Sequence, residues 1–341
     1  MLQSSHVEFW LHGFAVPGRV AELARRAEAW GFAGLLLADS QNLTADIWVE
    51  LCLAAAATSR LRIGSGVTNP VTRHLAVTAS AAATLQRESG GRVSLGIGKG
   101  DSALSQIGLD ALTVREFEEA LETLQGFLRG EEVVLRGGVN SRIRWLAADA
   151  AAKVPVHVAA TGPRTIAAAA RHAEGVDLTV GAEVDRVARG VAIARGAAPA
   201  PIQVGVYLNV AVDSDPARAR ELVRGSVATF ARFSAGAADL SAATGRGVSV
   251  ADSGYETDRH GDAQAGFAQE LEDEFIDRFA IAGTPAVVRG RLKEIGACRI
   301  DRVIVVPGSL DSDPDTVMRS CDRFAREIIA SPEPAARPSG A

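Results

Sequence analysis

Two hydrophobic periods alternate along the chain. Val7–His12, Leu35–Ala38, Leu61–Val67, Val93–Ile97, Val154–Ala159, Val176–Val180, Ile202–Val212 and Arg302–Val306 are short runs, continuously apolar or alternating, of the kind that form buried strands. The segments Val16–Trp30, Asp46–Thr58, Leu75–Arg87, Thr113–Arg129, Arg164–His172, Val184–Arg195, Asp215–Phe233 and Pro314–Ala330 read as helices between and after them. Within the first helix Val20, Leu23, Ala24 and Ala27 share a face, and Gly31 ends it. Asp46 stands at an N-cap position, and Thr113 with Glu116 three residues on forms a capping box. Two stretches break the rhythm. Glu132–Trp145 reads as a hairpin about Gly137–Gly138, and Ala235–Gly266, rich in Gly, Ala, Ser and Asp, reads as a long loop. Helices Phe267–Ala280 and Pro285–Ile295 follow that loop, and the tail Ser331–Ala341, with its three prolines, is expected to be disordered.

Eight strand–helix units in 341 residues predict an α/β fold, a (β/α)8 TIM barrel. It forms a single domain over residues 1–330. A β-hairpin insertion at about 131–147 follows helix 4, a loop and helical insertion at about 235–283 follows strand 7, and 331–341 is the tail. A doubly wound sheet needs fewer strands and a fingerprint acid about 20 residues after its glycines. In TIM barrels the active site lies at the C-terminal ends of the strands. Those ends are where the unusual residues of this chain accumulate.

Composition narrows the partners. Net charge is 36 − 41 = −5, which gives no basic footprint for nucleic acid or a membrane surface. No apolar stretch reaches the roughly 20 residues of a membrane span. Cys52, Cys298 and Cys321 show no CxxC and no metal spacing, and their odd number fits a reducing cytoplasm. Cys52 and Cys321 are read as buried thiols within helices. No basic start followed by an apolar run marks a secretory leader. No His, Cys or acidic pair has metal-ligand spacing on one element.

The most informative run is Gly91-Arg-Val-Ser-Leu-Gly-Ile-Gly-Lys-Gly-Asp101-Ser102. Val93, Leu95 and Ile97 alternate as strand four. Gly96, Gly98 and Gly100 then remove side chains where a ligand or backbone must approach closely. Asp101, the first acid after them, is the leading catalytic candidate. His12 closes strand one, and Ala38-Asp39-Ser40-Gln41-Asn42 closes strand two. At the end of strand three, Gly64 and Gly66 ahead of Val67-Thr68-Asn69-Pro70 suggest a bulge able to support a planar ring, with Asn69 offering its amide. Ala160-Thr161-Gly162-Pro163 leads straight into a helix. Its first amides and the positive end of the dipole suit an anion, and Arg164 can add charge. The blander roles are a barrel-interior position for His157, a cap or cofactor contact for His74, and core or pocket wall for Trp48.

The residues Ala38-Asp39-Ser40, Gly66-Val67-Thr68-Asn69-Pro70 with Arg73 and Thr78, Gly91-Arg92-Val93 through Gly100-Asp101-Ser102, and Ala159-Ala160-Thr161-Gly162-Pro163 carry a family likeness. Over residues 5–330 the chain resembles the bacterial luciferase-like superfamily of flavin- and deazaflavin-dependent TIM barrels, nearest to its methylenetetrahydromethanopterin reductase branch. The resemblance implies the deazaflavin F420 as cofactor, FMN being the alternative, with its ring at the barrel mouth. It implies a non-proline cis peptide at Gly66–Val67 behind that ring, Asp39, Asn69, Gly98, Gly100 and Asp101 around it, and Ala160, Thr161, Gly162, Pro163 and Gly181 toward the phosphate. It further implies a homodimer. Ser40 stands where many deazaflavin relatives have histidine, so the resemblance does not carry that histidine's acid–base role to this chain; either His12 or Gln41 takes it over, or the substrate needs no proton from that side. The expected activity is hydride transfer between F420 and a small organic substrate, with a pterin the substrate of the nearest relatives. The alternatives are an FMN-dependent monooxygenase fed by a separate reductase and a non-catalytic flavin-binding protein.

Overall fold

The computed structural model describes residues 7–146, 153–234 and 259–330. Eight parallel strands form the barrel: β1 Glu8–Phe14, β2 Gly34–Ala38, β3 Arg62–Thr68, β4 Val93–Ile97, β5 Val156–Ala160, β6 Gly175–Leu178, β7 Gln203–Val212 and β8 Arg302–Val306. They pair in chain order, β8 returns beside β1, and β7 pairs with both β6 and β8, so the sheet closes on itself. The helices that alternate with them are α1 Val20–Ala29, α2 Ile47–Ala57, α3 Leu75–Glu88, α4 Val114–Leu128, α5 Pro163–His172, α6 Val184–Ala197, α7 Pro216–Ser234 and α8 Pro314–Phe324.

Local chemistry sets these elements. Asp46 caps α2 by accepting from the amides of Trp48 and Val49, and the Thr113–Glu116 capping box opens α4. β2, Gly-Leu-Leu-Leu-Ala, is buried along its whole length because helices cover its outer face and the barrel interior its inner one. Gly34 opens β2 because a Cβ there would fall 2.2 Å from the Trp10 ring.

The N-terminal end of the barrel interior is polar. Arg302 grips Asp177 in a two-pronged pair, 2.9 Å through Nε and 2.5 Å through Nη2, and its guanidinium lies 4.7 Å from the centre of the Trp10 ring. His157 sits 3.9 Å from Asp177, inside the barrel as its place in strand five suggests. Burial pushes its imidazole down to about 3, and Arg302 adds to that shift, so the ring is neutral.

Several expectations are corrected. The first helix begins at Val20 rather than Val16, because Pro17 and Gly18, with φ of 76°, form a turn ahead of it. Phe267–Ala280 is not one helix. Gly266–Gln269 and Asp273–Phe279 are separate short helices, and between them the Leu271 carbonyl accepts from the Arg224 guanidinium at 2.7 Å. Ile281–Gly283 then adds a short strand alongside Val210–Val212 of β7. The last helix passes at Ala325–Ile329 into a π-helical turn. The hairpin is present, with Val133–Leu135 and Val139–Ser141 antiparallel about Gly137 and Gly138 at φ of 85° and 78°. Cys52 is exposed, not buried, whereas Cys321 is buried as expected. Most of the 235–266 loop and the whole of the 331–341 tail lie outside the described residues. Among the described residues no helix is long and apolar enough to cross a membrane.

Candidate active site

The C-terminal ends of the strands surround a cavity of about 630 Å3. Its lining includes His12, Asp39, Ser40, Gly66, Val67, Asn69, Gly98, Gly100, Asp101, Ala160, Thr161, Gly162 and Pro163. The structure therefore brings these sequence-predicted residues together in one place. Gly181 is the exception. It is not among the lining residues, and its φ of 76° and the Phe279 ring 2.9 Å from the place of a Cβ account for the glycine there. Thr179, two residues earlier, lines the cavity instead.

The floor comes from β3 and β4. Pairing between these strands shifts register between Ser65 and Thr68, and the Gly66–Val67 peptide is cis, as the family resemblance implies. Glycines permit this crowding. A Cβ on Gly96 would fall 2.1 Å from the Ser65 carbonyl oxygen, and one on Gly98 would fall 3.2 Å from a Val67 methyl. Gly96 thus serves backbone packing between strands, while Gly98 and Gly100 line the cavity itself. On Gly66 a Cβ would stand 2.7 Å from Leu36 and 3.2 Å from the Tyr207 hydroxyl.

Asn69 follows the bulge with 2% exposure. Its Oδ1 accepts from the amides of Val71 and Thr72, both at 3.0 Å, which fixes the orientation of the carboxamide. Its Nδ2 is buried and, among the described residues, has no acceptor. His12 Nε2 lies 2.8 Å from the Gly66 carbonyl and therefore carries the proton it donates. Burial pushes this imidazole down to about 4, against the raising effect of that bond, so the ring is neutral.

Asp39 is buried, and its carboxyl is raised above the usual range by loss of solvent. Hydrogen bonds from Thr68 Oγ1 at 2.6 Å and Gln41 Nε2 at 2.8 Å oppose that rise. Ser40 lines the cavity beside it. Asp101 lies at the N-terminus of a four-residue helix, Ser102–Ser105, that the sequence pattern did not reveal. Its carboxylate makes no cap bond and faces Arg232 Nη1 on α7 at 3.4 Å.

The N-terminus of α5 forms another part of the wall. Gly162 occupies its N-cap and provides no side-chain cap, Pro163 takes the first turn, and Arg164 and Thr165 line the cavity. Thr161 and Thr179 share a hydrogen bond at 2.6 Å just ahead of it. His74 turns out to be the N-cap of α3, accepting from the Ala76 amide. Trp48 is buried in the core cluster.

Sequence reasoning missed the contribution of β7 and α7. Tyr207, Ser226, Thr229, Phe230 and Phe233 all line the cavity. The signal was available in α7, where positions 226, 229, 230 and 233 repeat as one helical face that mixes hydroxyls with aromatic rings.

Residues 2–302 match the luciferase-like monooxygenase family. The chain belongs to that family. A 5,10-methylenetetrahydromethanopterin reductase of Methanolobus tindarius is 30% identical over 295 residues, spanning 81% of this chain and 86% of the relative. The solved coenzyme F420 dependent tetrahydromethanopterin reductase of Methanopyrus kandleri superposes on this luciferase-like chain with a TM-score of 0.75 at 24% identity, covering 95% of this chain and 99% of that one. An F420-dependent secondary alcohol dehydrogenase solved with an F420-acetone adduct gives 0.73 at 18% identity, over 95% and 98%. The barrel and the luciferase-like membership expected from the sequence are thus both found.

Proposed function

We propose that this luciferase-like protein is an oxidoreductase that binds F420 and transfers a hydride between it and a small organic substrate. The observation that carries this reading is the pairing of two features in one cavity. One is a glycine-lined floor beside Asn69 Nδ2, which has no acceptor among the described residues; the other is the N-terminus of α5, which has no side-chain cap. The floor suits a planar ring bearing a hydrogen-bond acceptor, and the helix end suits a phosphate. The F420-dependent relatives support the same choice. When bound, F420 supplies the hydride chemistry.

The chain's own residues then have separable tasks. Gly98 and Gly100 line the cavity and would admit the ring; Gly66 lets the β3 backbone pack against Leu36, and Val67, between the β4 glycines, would support the ring. Asn69 donates through Nδ2. His12, neutral and donating to the Gly66 carbonyl, holds the floor in shape and does not exchange protons near neutral pH. Ser40, which lines the cavity, can offer a hydrogen bond but is a poor acid or base. Asp101, at the mouth and ion-paired with Arg232, orients the substrate or takes up a proton. Gly162, Pro163, Arg164 and Thr165 hold the phosphate.

Fluorescence quenching of F420 by the full chain tests this reading. Micromolar or tighter binding is expected. Asn69→Asp keeps the acceptor for the Val71 and Thr72 amides but replaces the donor with an acceptor oxygen that can carry charge, so it weakens F420 by about tenfold or more. Absence of F420 binding, or an unaffected Asn69→Asp variant, contradicts it. A second reading, an FMN-dependent monooxygenase, draws on the family description itself and on a floor that fits an isoalloxazine equally well in shape.

A further inference from the structure

A second wall of the cavity is built by β7 and α7 and has a different chemistry from the floor. Thr229, Phe230 and Phe233 face the cavity from α7, and Tyr207 from β7. Their rings form a connected series: Tyr207 to Phe230 at 6.1 Å, Phe230 to Phe233 at 5.8 Å, and Phe233 to His260 at 6.2 Å. Such spacings are those of aromatic side chains in contact.

Two hydroxyls in this wall lack partners. Tyr207 and Thr229 are 3% and 4% exposed, and among the described residues neither Tyr207 Oη nor Thr229 Oγ1 has a hydrogen bond. Ser226, one turn away on the same face, is satisfied by donating to the Val223 carbonyl at 2.9 Å. Buried hydroxyls are rarely left unpaired, because losing water without a replacement partner is unfavourable. Two of them in the wall of one cavity call for a ligand that completes them.

Among the described residues, the side chains of this wall that line the cavity include no ionic group. The charged side chains that line the cavity, Asp39, Lys99, Asp101 and Arg164, come from β2, from the segment after β4, and from α5. Arg232, the cation of α7 near this face, is engaged by Asp101. Burial pushes the Tyr207 phenol far up, so its hydroxyl remains a donor at any working pH.

We propose that this wall is the substrate subsite and that it takes an uncharged, planar carbonyl compound, an aryl or conjugated ketone or aldehyde, or the corresponding alcohol. The rings of Phe230 and Phe233 lie along the plane of the molecule, and its oxygen accepts from the Tyr207 and Thr229 hydroxyls. A carboxylate or phosphate ester is disfavoured, since among the described residues the cation near this wall, Arg232, is already engaged by Asp101. The proposal rests on the F420 reading for the identity of the reaction, but its binding half is independent of it.

The test is calorimetric or ligand-observed NMR titration of the full chain, with and without F420, using acetophenone, benzoate and ethylbenzene at pH 7. Acetophenone is expected to bind saturably and at least about tenfold tighter than benzoate. Tyr207→Phe and Thr229→Val each weaken acetophenone by about three- to tenfold and leave ethylbenzene unchanged, whereas Phe230→Ala weakens both. Each of the two hydroxyl variants removes or replaces a single polar group, so either one suffices if the other does not fold. The proposal is overturned by absence of acetophenone binding, by benzoate binding as tightly or tighter, or by hydroxyl variants that treat acetophenone and ethylbenzene alike. F420 fluorescence is followed in the same samples. Loss of F420 binding with acetophenone retained removes the cofactor reading and keeps the subsite; F420 binding without acetophenone binding does the reverse.

Discussion

The Nε2–H of His12 donates to the carbonyl of Gly66 at 2.8 Å, tying the end of β1 to the first residue of the cis peptide that forms the cavity floor. A buried imidazole held in this way acts as a neutral strut. Its Nε2 proton is committed to the backbone, and charging it would place a cation at a largely buried position.

That arrangement has a pH consequence. His12 and His260 are each lowered to about 4 and His157 to about 3, from 6.5 in the unfolded chain. Between the lowered and the ordinary value the unfolded chain binds more protons than the folded one, so stability rises with pH there. It is fully present above about 6.5 and declines as pH falls toward 4, with a slope approaching about 1.4 kcal/mol per unit for each such histidine. Denaturant melts from pH 7 to pH 4.5 are expected to show this decline, and His12→Gln to make it shallower. An unchanged slope in His12→Gln would show that His12 is not buried neutral.

Arg302 and Asp177 make the largest stability prediction. Both are almost wholly buried, and removing one leaves the other's charge without a partner. Arg302→Met is expected to lower stability by about 3–5 kcal/mol, and pairing it with Asp177→Leu to recover much of that loss. Urea denaturation of both variants checks this. Equal stability of the double and single variants would contradict it.

Asp101 and Arg232 behave differently, because the Asp101 carboxylate is 55% exposed. Breaking this pair is expected to change stability by less than about 1 kcal/mol. Asp101→Asn should leave F420 affinity nearly unchanged and cut turnover by about 10²-fold or more if the carboxylate moves a proton. Unchanged turnover assigns Asp101 to holding α7 alone.

The homodimer expected from the family resemblance has a candidate face on α2 and α3. Val49, Leu53 and Val77 are 61%, 47% and 52% exposed there, beside a groove lined by Cys52, Ala56 and Ser80. Exposed apolar side chains so grouped favour a second copy. Light scattering is expected to give a dimer for the natural chain and a monomer for Leu53→Glu with Val77→Glu. A monomeric natural chain rules the interface out.

Much of this was legible in the sequence because barrel units repeat one signal. β2 and β4 are apolar runs closed by polar or glycine residues, and their ends gave Asp39, Gly98, Gly100 and Asp101 directly. The wall from α7 was only half legible: positions 226, 229, 230 and 233 repeat as one helical face, but which surface that face covers is decided only when β7 and α7 are placed at the cavity. Gly181 entered through the family resemblance rather than through a local pattern; it lies off the cavity lining, where its positive φ and the Phe279 ring account for the glycine. Between the two short helices of Phe267–Ala280, Leu271 meets Arg224, 47 residues earlier in sequence, and no local pattern records that contact.

The most direct measurement is the ratio of F420 to FMN affinity, read by fluorescence quenching with the same preparation of the full chain. Micromolar or tighter F420 binding, with FMN at least about tenfold weaker, is the result expected from the F420 reading, which the F420-dependent relatives support and the cavity shape alone does not decide. FMN binding tighter than F420 would contradict the account and move the protein to the oxygen-activating side of its family.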